Sequence, residues 1–290
     1  MVYGKFSDMD FKSYLKNGAE EIEGEIEGIL ARFRKEVNKI NPKLIPLLDA
    51  FIEACEGGKR IRGTLVKLGY EVGKIHLRGE KNALHLGGVE HKDILKVGTA
   101  IEILHAAILI HDDIIDESPT RRGQKSLYQK VGISQAITLA DLGFFLAIKI
   151  ISESKFEDRR KNQAIKLFSE TVVDTAIGQM LDILHTDPET CAKLKTARYT
   201  IAGPLSLGAI LAGAEEKLIR DFGEFGENLG IAFQIKDDIL DGEVISVESA
   251  QEDALEYTTK AKKIIPRLTK DSKMSTLLEQ MADYLVQRTN

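Results

Sequence analysis

Apolar residues spaced by threes and fours along almost the whole chain leave little choice of architecture. In "EEIEGEIEGILARFRKEV", Ile22, Ile26, Ile29, Leu30, Phe33 and Val37 fall on one side of a 3.6-residue period, so the segment predicts an amphipathic helix with one buried stripe. The same spacing predicts helices over roughly 45–55, 60–75, 94–116, 134–152, 160–185, 190–212, 216–241, 250–265 and 274–288. Breaks fall at "NPK" (41–43), "GGK" (57–59), "HLGGVEHKD" (85–93), "ESPTRRG" (117–123) and "TDPE" (186–189), where proline, glycine and short polar residues end helices. No convincing strand-like alternation interrupts the pattern. The expectation is an all-α chain whose residues 1–290 form one domain, since no low-complexity linker divides it.

Charge narrows the function. With 40 basic and 45 acidic residues the net charge is -5, which lacks the positive field that nonspecific nucleic-acid binding needs, so no nucleic-acid partner is expected. Cys55 and Cys191 are too few and too distant for a disulfide framework or a zinc site, and a reducing, cytoplasmic setting is the expectation. The N-terminal "MVYGKFSDMDFKSYL" has no basic start followed by an apolar block. No uninterrupted apolar run approaches the ~20 residues of a bilayer span, so no integral membrane segment is expected.

One motif occurs twice. "IHDDIID" at 110–116 returns as "IKDDILD" at 235–241, the first aspartates lying 125 positions apart, and each copy ends a helix-length apolar pattern. On a helix, residues four apart share a face, so Asp112 and Asp116 point one way, as do Asp237 and Asp241. Such pairs repel, and the carbonyl end of a helix adds to the penalty, at about 0.5–1 kcal/mol for each unfavourable contact. A hard divalent cation is the natural compensator. Mg2+ binds oxygen, keeps several waters, and commonly uses one or two carboxylates together with substrate phosphates. One Asp-rich helix end is ordinary solvated surface. Two with the same spacing point to a diphosphate held between metal ions.

Basic residues supply the rest. "GGKRIR" places Lys59, Arg60 and Arg62 behind two glycines that allow close backbone approach, and "TRRG" adds Arg121 and Arg122. Arginine grips phosphate oxygens as a planar fork. Either cluster alone fits a solvated loop, but beside two metal-type faces both look like receptors for a second anion.

With these residues in place the chain resembles the trans-polyprenyl diphosphate synthases (trans-prenyltransferases, isoprenoid synthases). The resemblance rests on "GGKRIR" (57–62), "HDDIIDESPTRRG" (111–123), "GQMLD" (178–182), "KT" (195–196) and "FGENLGIAFQIKDDILD" (225–241), in family order. It implies an isoprenoid-synthase-type helical bundle around a deep central cavity, usually as a homodimer. By the same resemblance, Asp112, Asp116 and Asp237 look like the Mg2+ ligands, about three ions being implied. Asp113, Asp238 and Asp241 would support the acidic surface. Arg121 and Lys195 would grip the allylic diphosphate, and Lys59, Arg62, His105 and Arg122 the diphosphate of isopentenyl diphosphate. His105 lies two turns before Asp112 on the same helix face, a position also open to an ordinary hydrogen-bonded core histidine. Lys195 would serve the reaction itself, and Thr196 and Gln234 would stabilise a carbocation.

Product length enters through "EILHAAILIH" before Asp112. In this family bulky aromatics four or five places ahead of the motif stop growth early, and here those places hold Ile108 and Ala107. The resemblance therefore implies a product of C20 or longer, with Leu104 one turn deeper and Phe144 and Phe145 on the next helix as candidates for a lower floor. Ordinary core packing is the competing account of the two phenylalanines. Two departures stand out. Gly63 follows Arg62 where proline is common, and "DDILD" runs through "GEVISVES" into "AQEDALEYTTKAKK" without the family's glycine- and lysine-rich loop. The missing loop keeps a noncatalytic prenyl-diphosphate-binding subunit in view. A class I terpene cyclase or head-to-head synthase is the other alternative, and the intact "DDILD" weighs against it.

Overall fold

In a computed structural model the structure describes residues 10–78, 88–242, 244 and 246–287, and these are almost wholly helical. The helices are α1 (Phe11–Ile40), α2 (Ile45–Cys55), α3 (Ile61–Arg78), α4 (Gly88–Ile115), α5 (Leu127–Val131), α6 (Ile133–Ser152), α7 (Asp158–Ile183) and α8 (Pro188–Cys191). A π-helical stretch, Ala192–Ala202, leads into α9 (Gly203–Ala212), followed by α10 (Glu216–Asp241), α11 (Val247–Leu268) and α12 (Ser272–Gln287). The ends follow local chemistry. The Asp10 carboxylate accepts from Ser13 N–H at 2.7 Å to cap α1, and Gly242, at φ 75°, ends α10 in the left-handed conformation glycine adopts without a Cβ clash. Part of the predicted break at 85–93 lies outside the described residues, and the rest belongs to α4.

The long pattern expected over 190–212 is three pieces. Its π-helical middle preserves the apolar rhythm while shifting register, which the periodicity could not show. The "ESPTRRG" loop also carries a short antiparallel hairpin, β1 (Thr120–Arg121) with β2 (Gln124–Lys125), pairing Thr120 with Lys125 and Arg121 with Gln124. Arg122 and Gly123 form its two-residue turn, both at positive φ (50° and 76°), the geometry that matches strand twist. Two residues per strand are too short to alternate visibly.

Two hydrophobic clusters meet along α3 and α9. Val66 and Tyr70 of α3 face the cluster built largely on α1, α2, α4, α6 and α7, while Leu65, Leu68 and Val72 face the one shared with α10, α11 and α12. α9 divides likewise, with Leu207 and Leu211 on one side and Leu205 and Ala209 on the other. α9 is accordingly apolar on nearly every side, whereas α3 also carries Lys67, Glu71 and Lys74, which pair with groups on α1 and α4.

Among the described residues two helices are long and apolar enough to cross a membrane, α4 over Glu90–Ile115 and α6 over Ile133–Ser152, and 72% and 39% of their most apolar windows are buried. Neither is an uninterrupted apolar run, and α4 is the central helix of the first cluster.

Charges are buried where α1, α3 and α4 cross. Glu21 pairs with Lys67 and lies 3.4 Å from His91 Nε2. Burial pushes the Glu21 carboxyl up, but the hydrogen bonds and charges of His91 and Lys67 outweigh it and hold the pKa at about 2. A depressed carboxyl pKa stabilises the fold above the unfolded value near ~4.3, and this is lost as pH falls toward 2. Glu21→Gln is expected to lower Tm at pH 7 and to match the parent near pH 2. Equal Tm at both pH values, by circular dichroism, excludes this contribution.

Candidate active site

The end of α4, the second half of α7, the π-helical stretch and the last turns of α10 enclose a hollow of about 480 Å3. Asp112 from α4 and Asp237 from α10 line the same hollow, with Lys195, Thr196, Gln234 and Gln179 between them. Asp116 lies one turn beyond Asp112, at the exposed lip, and its N–H still donates to Asp112 O at 2.8 Å, so both stand on one helical face. Burial raises the Asp112 pKa, with the neighbouring Asp116 and Asp113 charges adding to it against Lys195 and Arg121. Among the described residues no three carboxylate, imidazole or thiol groups already converge on one point. Carboxylates on an open hollow rather than in a closed cage fit Mg2+, which completes its shell with phosphate oxygens and water.

Close helix contacts set this geometry. A Cβ on Gly178 of "GQMLD" would meet Lys195 N at 2.6 Å, and Cβ atoms on Gly226 and Gly230 of α10 would come within 2.4 Å of the Ala202 and Ala197 Cα atoms. The π-helical stretch is thus pressed between α7 and α10 along bare backbone. Lys195 Nζ is held by Asp182 at 2.5 Å. Burial alone would lower its pKa, but the Asp182 bond and the Asp112 charge raise it, so it stays a cation.

Deeper in, Arg62 organises the wall. Its Nη2 donates to Thr200 Oγ1 at 2.8 Å, its Nη1 lies 3.2 Å from His105 Nε2, and its Cζ stands 4.6 Å from the centre of the Tyr199 ring. Burial, then the charges of Arg62, Arg122, Arg121 and Arg60, push the His105 pKa well below the usual histidine value, so the ring is neutral. Its Nε2 therefore accepts from Arg62 and its proton sits on Nδ1.

The hairpin arginines point elsewhere. Asp113, one residue round the helix from Asp112, is 3% exposed and receives Arg121 Nε at 2.7 Å and Nη2 at 2.6 Å. Arg122 donates to the carbonyls of Glu56 and Gly57, clamping the hairpin to the Gly57–Gly58 turn near exposed Lys59. Arg121 and Arg122 line a separate hollow behind α4 with Asp113. The predicted group for the second diphosphate is thereby divided: Arg62 and His105 face the main hollow, and Arg122 does not line it. Gln234 Nε2 donates to Asp238 Oδ1 at 2.6 Å, and Asp241 ends α10.

A polyprenyl synthetase family profile matches residues 46–258. The chain belongs to that family. Over 238 residues it is 29% identical to the geranylgeranyl diphosphate synthase of Methanosarcina mazei, a match covering 78% of this chain and 65% of that protein. Against the chloroplastic solanesyl diphosphate synthase 2 of Arabidopsis thaliana identity is 33% over 209 residues, covering 69% and 46%. The chain thus spans between about half and two thirds of the length of these curated relatives. The fold matches a Corynebacterium glutamicum geranylgeranyl pyrophosphate synthase, solved with isoprenyl diphosphate and magnesium, at TM-score 0.83 and 21% identity over 94% of this chain and 99% of that one. Relatives named for different products do not fix this family member's product length.

Three length-determining candidates are corrected by the fold. Phe145 is 71% exposed on the outer face of α6 and cannot form a floor. Ala107 is buried where α4 crosses α6, its Cβ within 2.8 Å of where a Cβ on Gly143 would stand, and it does not line the hollow. Phe144 does line the hollow, but near the Asp112 level, stacked on His111 with centroids 5.6 Å apart, rather than at a lower floor. Ile108 lines the hollow, and Leu104 lines a smaller void below it.

The sequence reading also left residues unassigned. Asp182 and Gln179 lie inside the "GQMLD" motif quoted above, and their place in that motif is the available sequence signal. Tyr199 and Thr200 needed the π-helical register to reach the hollow. For Gly63 the departure has a cause, because its N–H donates to the buried Glu102 carboxylate at 2.7 Å, a bond proline cannot make.

Proposed function

We propose that this chain is a Mg2+-dependent trans-prenyltransferase that joins isopentenyl diphosphate to an allylic diphosphate and releases an all-trans polyprenyl diphosphate of C20 or longer. The observation that carries the reading is the shared hollow. Asp112 and Asp237, remote in sequence, open onto one cavity that also receives Lys195 and Arg62.

Asp112 at the end of α4, Asp116 just past it and Asp237 from α10 would hold the metal, with Asp113, Asp238 and Asp241 behind them. When bound, Mg2+ neutralises the charge that builds on the departing diphosphate. The chain's own groups do the remainder. Lys195 and, released from Asp113, Arg121 bind the allylic diphosphate. Arg62 and neutral His105, through its Nδ1–H, receive the other diphosphate from the wall of the hollow, joined by Lys59 and, once released from the Glu56 and Gly57 carbonyls, by Arg122. As the allylic carbon–oxygen bond breaks, its electron pair leaves with the diphosphate, and the alkene of isopentenyl diphosphate attacks the cation to form the new carbon–carbon bond. The resulting tertiary cation loses a proton to a diphosphate oxygen. Thr196 and Gln234 turn dipoles toward the cation, and apolar walls such as Ile108, Val172 and Phe233 keep water from quenching it. A cavity of about 480 Å3 has room for a long tail, and Ile108 in place of an aromatic supports extension beyond C15.

Incubating the full chain with Mg2+, labelled isopentenyl diphosphate and C5 to C20 allylic primers tests this directly. Labelled polyprenyl diphosphate is expected. No labelled product with any primer overturns the synthase reading in favour of a noncatalytic subunit, which the short 242–246 connection after α10 favours; a hydrocarbon product points to a cyclase.

A homodimer belongs to the same proposal. Val173 and Ile177 are exposed one turn apart on α7, and Ile137 and Phe145 are exposed on α6, large apolar side chains that a second copy would cover. Phe145→Asp combined with Ile177→Asp is expected to convert a dimer to a monomer in light scattering. A parent chain that is already monomeric at micromolar concentration refutes it. Cytoplasmic placement is proposed too, and the free thiols of Cys55 and Cys191 support it.

A further inference from the structure

Below the main hollow, α4, α7 and α9 enclose a second void of only about 20 Å3, lined by Ile101, Leu104, Phe168, Thr171, Pro204 and Leu207 among others. It continues the same channel. Descending from Asp112 on α4 one passes Ile108, then Leu104 and Ile101; from Gln179 on α7, Val172 and then Phe168; from Thr196, Tyr199 and then Gly203 and Leu207. Two residues line both spaces, Val172 and Tyr199. Of the two, the tyrosine ring is the bulky one.

Tyr199 is also fixed in place. It is 4% exposed, the Arg62 guanidinium covers one face of its ring at 4.6 Å, and the His105 ring lies 6.0 Å away. Arg62 is itself tethered to Thr200 and His105, so the ring cannot swing aside without breaking that set. Its hydroxyl makes no hydrogen bond to the protein, so nothing in the geometry requires the oxygen. The ring is thus the bulky group common to the walls of both spaces.

We propose that the Tyr199 ring is the stop that the growing prenyl tail meets once past Ile108, and that its bulk, held by Arg62, sets where elongation ends. This rests on the synthase reading and adds a length-determining residue to it. With the ring removed, the void joins the main hollow and the tail extends between Leu104, Phe168 and Leu207. The Arg62 contact also ties the stop to the wall proposed to receive isopentenyl diphosphate.

Two readouts test this. In the elongation assay Tyr199→Ala is expected to give products at least one isoprene unit longer than the parent, Tyr199→Phe the parental length, and Tyr199→Ala with Leu104→Phe a return toward it. In the second, Mg2+-dependent binding of non-hydrolysable allylic thiolodiphosphates with C10, C15, C20 and C25 tails is measured by calorimetry. The parent should show a tail length beyond which affinity stops rising, and Tyr199→Ala should bind the next longer analogue about tenfold tighter, as expected for newly buried apolar carbons. If alanine prevents folding, Tyr199→Leu carries both measurements. A parental product length and an unmoved binding limit in the smaller variant overturn the proposal, as does a longer product from Tyr199→Phe. A parent that binds the analogues but makes no product defeats the synthase reading alone, and the binding limit still decides the role of Tyr199.

Discussion

Asp112→Ala is expected to abolish prenyl transfer while leaving the protein as stable as the parent, or more so. Asp112 is the carboxylate that shares the hollow with Asp237 and Lys195. Losing it removes a proposed metal ligand where negative charge develops, and groups so placed contribute several kcal/mol to the barrier, so kcat should fall by about 1000-fold or more. For the fold the sign is opposite. Asp112 stands in the last turn of α4, four residues before Asp116, where the carbonyl end of the helix and the second carboxylate both disfavour its charge. Relief of about 0.5–1 kcal/mol per contact predicts an unchanged or slightly higher Tm without Mg2+. Steady-state turnover beside thermal unfolding, both with and without Mg2+, checks the pair. Retained turnover counts against the proposed site, and a large drop in Tm would mean that Asp112 has a structural role.

The second large effect is on folding. A Cβ on Gly208 of α9 would stand 2.0 Å from Val66 O and 2.6 Å from Tyr70 N, and one on Gly69 of α3 would stand 2.0 Å from Leu205 O. These are backbone atoms, so no side chain can turn away. Gly208→Ala must therefore push apart the two helices that join both hydrophobic clusters. We expect a loss of about 3 kcal/mol or more, the upper range for overpacking, with a Tm fall of roughly 6–12 °C. Gly223→Ala is the control, because a Cβ there meets nothing within 4 Å, and in mid-helix alanine should add roughly 0.5–1 kcal/mol. Similar Tm values for both variants would falsify the close-packed α3–α9 contact. Arg62 leaves the start of α3 and α9 follows directly from the π-helical stretch, so Gly208→Ala should also misplace the wall of the hollow.

How much of this could be read from the residues differs by feature. The helices were legible because each buries a stripe at a 3.6-residue period, and α10 was bounded correctly at Glu216 and Asp241 because a glycine follows its last turn. The acidic faces were legible because their spacing repeats. Three things were not. The π-helical register at Ala192–Ala202 depends on bare backbone contacts from Gly178, Gly226 and Gly230, which have no periodic signature of their own. The outward turn of Phe145 follows from the tight crossing at Gly143 and Ala107, which fixes the rotation of α6. The partners of Arg121 and Arg122 depend on a hairpin whose two-residue strands are too short to leave a pattern.

Those hairpin arginines, although they line a separate hollow, share a property with the cations of the main one. Arg121 rests on Asp113, Arg122 on two carbonyls, Lys195 on Asp182 and Arg62 on Thr200. Each cationic head already has an acceptor in the folded chain. A diphosphate arriving in the main hollow therefore exchanges one acceptor of Lys195 or Arg62 for another and does not have to freeze two mobile arms, each of which would otherwise cost about 0.5–1.5 kcal/mol on binding. Affinity is moderated by the acceptors that must be displaced, whereas the direction of the Lys195 and Arg62 donors is settled in advance, which on the proposed synthase reading favours release of pyrophosphate between successive additions over tight retention.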